Sequence, residues 1–227
     1  MILCEHGPGG QPAVFGQPEA VVSAVDPSDL PGAFAVLDAA RARGRWIAGW
    51  IGYEAGYALE PRLAPLVPQG RPSPLLVMGI FAGPADAGQV LAQARAEAAG
   101  VAMSAPEPMV ARADYDAAMA RLKAYIMAGD CYQVNLTFPL SSSLVRGTPL
   151  GLYGRLKQAG AVGHGAFADL GVGPVVVSRS PELFFRLDAG GRISARPMKG
   201  TAPRDPDPVR DMELAAELEA SEKGRAE

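Results

Sequence analysis

Apolar and polar positions change over in short blocks along this chain, and their spacing predicts where helices and strands fall. Phe34, Leu37 and Ala40 recur at helical spacing behind Ser28, Asp29 and Pro31. That predicts a helix capped at Ser28 or Asp29 and stopped at Gly44. Trp46 to Tyr53 and Leu75 to Phe81 are apolar runs bounded by glycine or proline; their length suits buried strands, joined by a proline-rich loop. Gln89 to Ala99 is alanine-rich and favours helix. The stretch Ser104-Ala-Pro-Glu-Pro108 reads as a connector in which few backbone hydrogen bonds form.

Beyond the connector, Asp114 is positioned to cap a helix with Tyr115, Met119, Leu122 and Ile126 on one face, closed by Gly129. Thr148 and Pro149 open another, running through Leu156 and ending near Gly160. Ala166 to Leu170, Val175 to Ser178, Leu183 to Leu187 and Arg192 to Pro197 read as strands, with a hairpin turn at Asp188-Ala-Gly-Gly191. Asp207 and Pro208 start a last helix with Leu214 and Leu218 one turn apart. Sequential strands with turns this short favour an α+β fold of mainly antiparallel sheets with helices on the outer faces. The expected division is residues 1–112 and residues 113–227.

Composition narrows the function classes. The chain has 227 residues, 48% hydrophobic and 20% charged, and a formal charge of −3. That composition builds a core and excludes both a disordered tail and a nucleic-acid footprint. No apolar run reaches the roughly 18 residues of a membrane span. Cys4 and Cys131 stand far apart without a CxxC or histidine cluster, which argues against a disulfide framework and fits a cytoplasmic location.

Few residues carry candidate chemistry. No GxGxxG, Walker, GxSxG or HExxH pattern occurs. His6 and His164 sit in glycine-containing stretches and read as solvated loop residues. Lys199, in Arg196-Pro-Met-Lys-Gly-Thr201, follows a strand and precedes a glycine. Two readings stand for it: a surface lysine leaving a sheet, the commoner case, and an amine at a strand end, destabilised as a cation and available as a nucleophile. Glu213, Glu217, Glu219 and Glu222 read as the solvated face of a helix.

Three segments in order resemble the chorismate-binding enzymes, the family of anthranilate synthase component I, aminodeoxychorismate synthase component I and the isochorismate synthases. They are Gly129-Asp-Cys-Tyr-Gln-Val-Asn-Leu-Thr137, Ser178-Arg-Ser-Pro-Glu-Leu-Phe184 and Pro197-Met-Lys-Gly-Thr-Ala-Pro-Arg204, followed by Ser221-Glu-Lys-Gly-Arg-Ala-Glu227. Within that family the anthranilate synthases carry alanine where this chain has Lys199, and the aminodeoxychorismate synthases carry lysine.

The resemblance implies a sandwich of antiparallel sheets and a defined chemistry. Lys199 would attack carbon 2 of chorismate, the 4-hydroxyl would leave, and ammonia from a glutaminase partner subunit would enter at carbon 4. Gly200 and Thr201 match the substrate-contacting pair, and Glu227 matches a magnesium ligand. Ser180, Pro181 and Glu182 match a region that lines a tryptophan pocket in some members. Tyr132, Asn135 and Thr137 are expected to serve packing and hydrogen bonding around the sheet.

The family pattern continues past Glu227 into a catalytic histidine and a second magnesium glutamate that this sequence does not contain. The 227-residue piece is therefore expected to turn over nothing alone and to expose sheet edges and apolar surface. An anthranilate synthase-like enzyme and a non-catalytic amino-acid- or partner-binding subunit are the alternatives.

Overall fold

The computed structural model describes residues 1–198 and 200–226; Lys199 and Glu227 lie outside the described residues. Strands β1 (Ile2–Cys4) and β2 (Ala13–Phe15) are followed by β3 (Ala20–Ala24), helix α1 (Leu30–Ala42), β4 (Trp46–Ile51), α2 (Ala55–Leu59), β5 (Leu76–Phe81), β6 (Ala85–Asp86) and α3 (Gly88–Glu97). Two short strands, β7 (Ala102–Met103) and β8 (Glu107–Pro108), lead into α4 (Arg112–Ala128), β9 (Leu140–Ser141), β10 (Leu144–Arg146) and α5 (Pro149–Gln158). The chain continues through β11 (His164–Ala168), β12 (Val176–Ser180), β13 (Leu183–Leu187), β14 (Ile193–Arg196), α6 (Pro208–Ala220) and α7 (Glu222–Ala226).

Strand alternation explains the layers. In the five-stranded sheet β12-β11-β1-β2-β6, Ile2, Phe15 and Ala168 point inward to Phe81, Ala48 and Trp50 of the three-stranded sheet β3-β5-β4. Their neighbours Leu3, Val14 and Phe167 point outward to Ala94 of α3 and to Leu150 and Tyr153 of α5. The three-stranded sheet turns its other side, including Leu76 and Ile80, to Leu30, Ala33, Leu37 and Ala40 of α1. The expected α+β sandwich with helices outside is the observed arrangement, and every strand pairing described is antiparallel. Because β1 pairs with β11, the large sheet draws strands from both sides of residue 112. Among the described residues no helix is long and apolar enough to cross a membrane.

Several local expectations hold and several change. Thr148 caps α5 by accepting a hydrogen bond from Gly151 N–H at 2.9 Å. Asp207 does the same for α6 through Val209 N–H at 3.0 Å. Asp29 instead caps the turn before α1, its carboxylate accepting from Asp26 N–H at 2.9 Å. Helix α4 starts at Arg112, two residues ahead of Asp114, and ends at Gly129 with φ of 82°, a left-handed position where glycine avoids the Cβ penalty.

Strand β4 is half-buried and lies at a sheet edge, so it is not the buried strand expected. The 104–108 connector is also held, with Ser104 N–H donating to Ser143 O at 2.9 Å and Ser142 Oγ to Ser104 O at 2.8 Å. His164 begins β11 rather than a turn, its ring edge-on to His6 at 5.3 Å between centroids. No described residue from 102 to 149, or after 180, is buried. Phe184 and Ile193 are 87% and 70% exposed, and this bare hairpin adjoins the site described below.

Helices α3 and α5 approach closely because Gly154 lacks a side chain. A Cβ there would overlap the backbone of Ala94. Gly154→Ala is therefore expected to lower stability by about 1–3 kcal/mol, the usual cost of overpacking, as read from its urea unfolding midpoint.

Candidate active site

The sheet hairpin and the last two helices enclose the site. Strand β12 ends at Ser180, where the Ser180 hydroxyl donates to Glu182 O at 3.1 Å and accepts from Glu182 N–H at 3.2 Å, a local turn that serine favours. This turn aims the Glu182 carboxylate at the Met198 N–H, which it accepts at 3.1 Å. The β12–β13 turn is thereby tied to the segment leaving β14. Downstream, Arg204 grips Asp211 of α6 with two hydrogen bonds of 2.7 Å. Asp205 N–H adds a third at 3.0 Å. Arg204 and the Asp205 amide hold the Asp211 carboxyl down to about 2. The segment after Thr201 is thus fastened to the start of α6.

Between these two anchors lies a cavity of about 530 Å³ lined by Gln133, Asn135, Met198, Gly200, Thr201, Leu218, Ser221, Lys223 and Gly224. Gly200 has φ of 67°, a conformation that strains residues with a Cβ. A Cβ built there would also press on Leu218 at 3.0 Å. Glycine is required at this wall for both reasons. A second cavity of about 460 Å³ is lined by Ser180, Glu182, Leu183, Phe184, Ala195 and Pro197. Pro197 and Met198, consecutive residues, line different cavities.

The structure brings Gly200 and Thr201 together in the first cavity, and Ser180 and Glu182 in the second; Pro181 lines neither. Lys199 and Glu227 lie outside the described residues. Gln133, Asn135, Ser221 and Lys223 also line the first cavity. The signal for them was present, since all four fall inside the ordered segments quoted above. Tyr132 departs from its expected packing role: it is 80% exposed, because the 131–139 stretch forms no strand and offers its side chains no covering layer. Glu213 and Glu217 do form a solvated face, paired with Arg210 at 2.9 and 3.0 Å. Among the described residues no three histidine, cysteine, aspartate or glutamate side chains gather as a metal site.

Residues 3–227 match the family described as chorismate binding enzyme. The chain belongs to that family. Its relatives include anthranilate synthase component 1 of Streptomyces coelicolor, 39% identical over 115 residues, which cover 51% of this chain and 22% of the relative. Aminodeoxychorismate synthase component 1 of Salmonella typhimurium is 38% identical over 124 residues, 55% of this chain and 27% of the relative. Anthranilate synthase component 1 of Thermus thermophilus is 42% identical over 116 residues, 51% and 24% of the two chains. The matches thus span about a quarter of the length of these relatives. No solved structure matches at a significant level.

Proposed function

We propose that this chain is part of an aminodeoxychorismate synthase component I, which converts chorismate and ammonia to 4-amino-4-deoxychorismate on the route to 4-aminobenzoate and folate. The observation that carries the reading is the lysine of Pro197-Met-Lys-Gly-Thr201, where the sister anthranilate synthases have alanine. In this reaction the Lys199 amine bonds to carbon 2 of chorismate as the ring double bond shifts and the 4-hydroxyl departs. Ammonia then bonds to carbon 4, the double bond shifts back, and the lysine is released. The amine splits one difficult substitution into two easier ones. A cavity wall of Gly200 and Thr201 supports the reading, since glycine admits close backbone approach and a hydroxyl can bond a substrate oxygen.

Ammonia delivered by a glutaminase subunit belongs to the same proposal, supported by relatives that bear the name component 1. So does magnesium, with Glu227 as a ligand; when bound, such an ion would neutralise a substrate carboxylate. Tryptophan at Ser180, Pro181 and Glu182 is a proposal of its own, supported by the cavity that two of the three line.

The second reading is an anthranilate synthase, favoured by relatives of that name at 39% and 42% identity. Product analysis of the whole enzyme with chorismate, ammonium and magnesium separates the two. We expect 4-amino-4-deoxychorismate with its enolpyruvyl group retained; anthranilate with release of pyruvate would overturn the proposal in favour of the sister reaction.

A further inference from the structure

The chain's two histidines meet at one end of the large sheet and line neither cavity of the candidate site. Their meeting is set by the backbone. Strands β1 and β11 pair as Ile2↔Ala168, Leu3↔Phe167 and Cys4↔Ala166, and the Glu5 N–H carries the ladder one step further by donating to Gly165 O at 2.8 Å. The same register puts His6 opposite His164, and residues directly opposite on antiparallel strands have Cβ atoms about 4.5–5.5 Å apart. The ring centroids are 5.3 Å apart, with the planes at 68°. Among the described residues neither imidazole has a hydrogen-bond or ion-pair partner. Gly10 leaves the edge of the His6 ring open, since a Cβ there would stand 3.9 Å from Nε2.

We propose that His6 and His164 are the two protein ligands of a site for a borderline-soft divalent ion such as Zn2+, its remaining positions held by water. Neutral imidazole is the commonest side-chain ligand for such ions. Two imidazoles on one tetrahedral zinc, each nitrogen about 2.0–2.1 Å from the ion, have ring centres about 5 Å apart. The observed separation meets that value, so the rings need only turn, not travel. Magnesium, which prefers oxygen ligands, is not the ion this pair selects. No third histidine, cysteine, aspartate or glutamate joins them among the described residues; Cys4, next in the row, packs instead against the core cluster of Ile2, Phe15, Phe81 and Ala168. An ion held by both rings would tie together β1 and β11, strands far apart in sequence. The inference does not depend on the chorismate reading.

Zinc chloride titrated into the whole chain in magnesium-containing buffer, followed by proton NMR, tests it. Because the chain has two histidines, their imidazole resonances report on the whole proposed site. Both are expected to shift together through one midpoint, at one zinc per chain. In calorimetry, His6→Gln and His164→Gln should each weaken the binding about tenfold or more, and excess magnesium should not displace the zinc. An ion that binds the folded chain should raise the urea midpoint of the wild type and leave that of either variant nearly unmoved. His6 is exposed and His164 half-buried, so both variants are expected to fold, and the wild-type NMR titration needs neither. Zinc that shifts one imidazole or none, or that binds both variants as tightly as the wild type, overturns the inference.

Discussion

Lys199→Ala in the whole enzyme is expected to abolish formation of the 4-amino product, lowering its rate by about a thousandfold or more. Alanine has no lone pair to offer carbon 2, so the two-step route closes. What remains is direct attack of ammonia at carbon 4, the difficult substitution that the amine avoids. Lys199→Arg decides what kind of role the lysine plays. Arginine keeps the positive charge, but its guanidinium stays protonated and is no nucleophile. It should be as inactive as alanine. If Lys199→Arg restored the rate, the lysine would act by charge, and full activity in Lys199→Ala would remove it from the chemistry altogether.

The cavity gives this prediction a context that motif spacing lacks. Gly200, confined to φ of 67° and pressed toward Leu218, makes the wall beside Lys199 intolerant of a side chain. Glu182 holds the amide of Met198 from the other side.

Local chemistry made much of this fold legible in the sequence. Thr148 before Pro149 announced a capped helix start, and Asp188 to Gly191 announced a hairpin whose Gly191 N–H donates to Asp188 O at 3.0 Å. Strands β1, β2 and β3 were not foreseen, because runs of three to five residues are too short to show a period. Sequence reasoning failed where a partner is distant along the chain. The 104–108 connector looked free because residues 141–143, which hold it, are far away in sequence. The run from Trp46 to Tyr53 looked buried because an apolar strand gives no sign of being at an edge. In the site, Gly200 and Thr201 were legible from their motif. Lys223 was quoted in the sequence without a role, because only the fold brings it to the cavity that Gly200 also lines.

Glu5 is the clearest case of a distant partner, and it carries the largest expected effect on stability. Its neighbours along the chain give no sign of a role. Its side chain is only 8% exposed and accepts hydrogen bonds of 2.6 Å from both Tyr153 Oη and Arg179 Nη1, with Lys157 Nζ at 2.8 Å from its other oxygen. Gly165 makes room for it, since a Cβ there would collide with the Glu5 carboxylate. Burial alone would raise the Glu5 carboxyl, but hydrogen bonds from Lys157 and Tyr153 and the charges of Lys157 and Arg179 outweigh it and hold the group below its ordinary value. Burial and the Glu5 contact push the Tyr153 phenol well above its usual range, so it stays a donor.

Glu5→Ala would strand Arg179, itself only 15% exposed, together with the buried Tyr153. The expected loss is about 3–5 kcal/mol, the cost of breaking a buried pair from one side. Urea unfolding of the chain at neutral pH measures it. The pH dependence has a definite sign. A carboxyl with a lowered folded pKa contributes its stability in full above the unfolded carboxylate value and loses it as pH falls through the lowered folded value. Wild-type stability should therefore fall in acid by more than that of Glu5→Gln, and the two should converge at the lowest pH. Equal acid sensitivity in both would mean that the carboxylate charge contributes nothing to holding β1, α5 and β12 together.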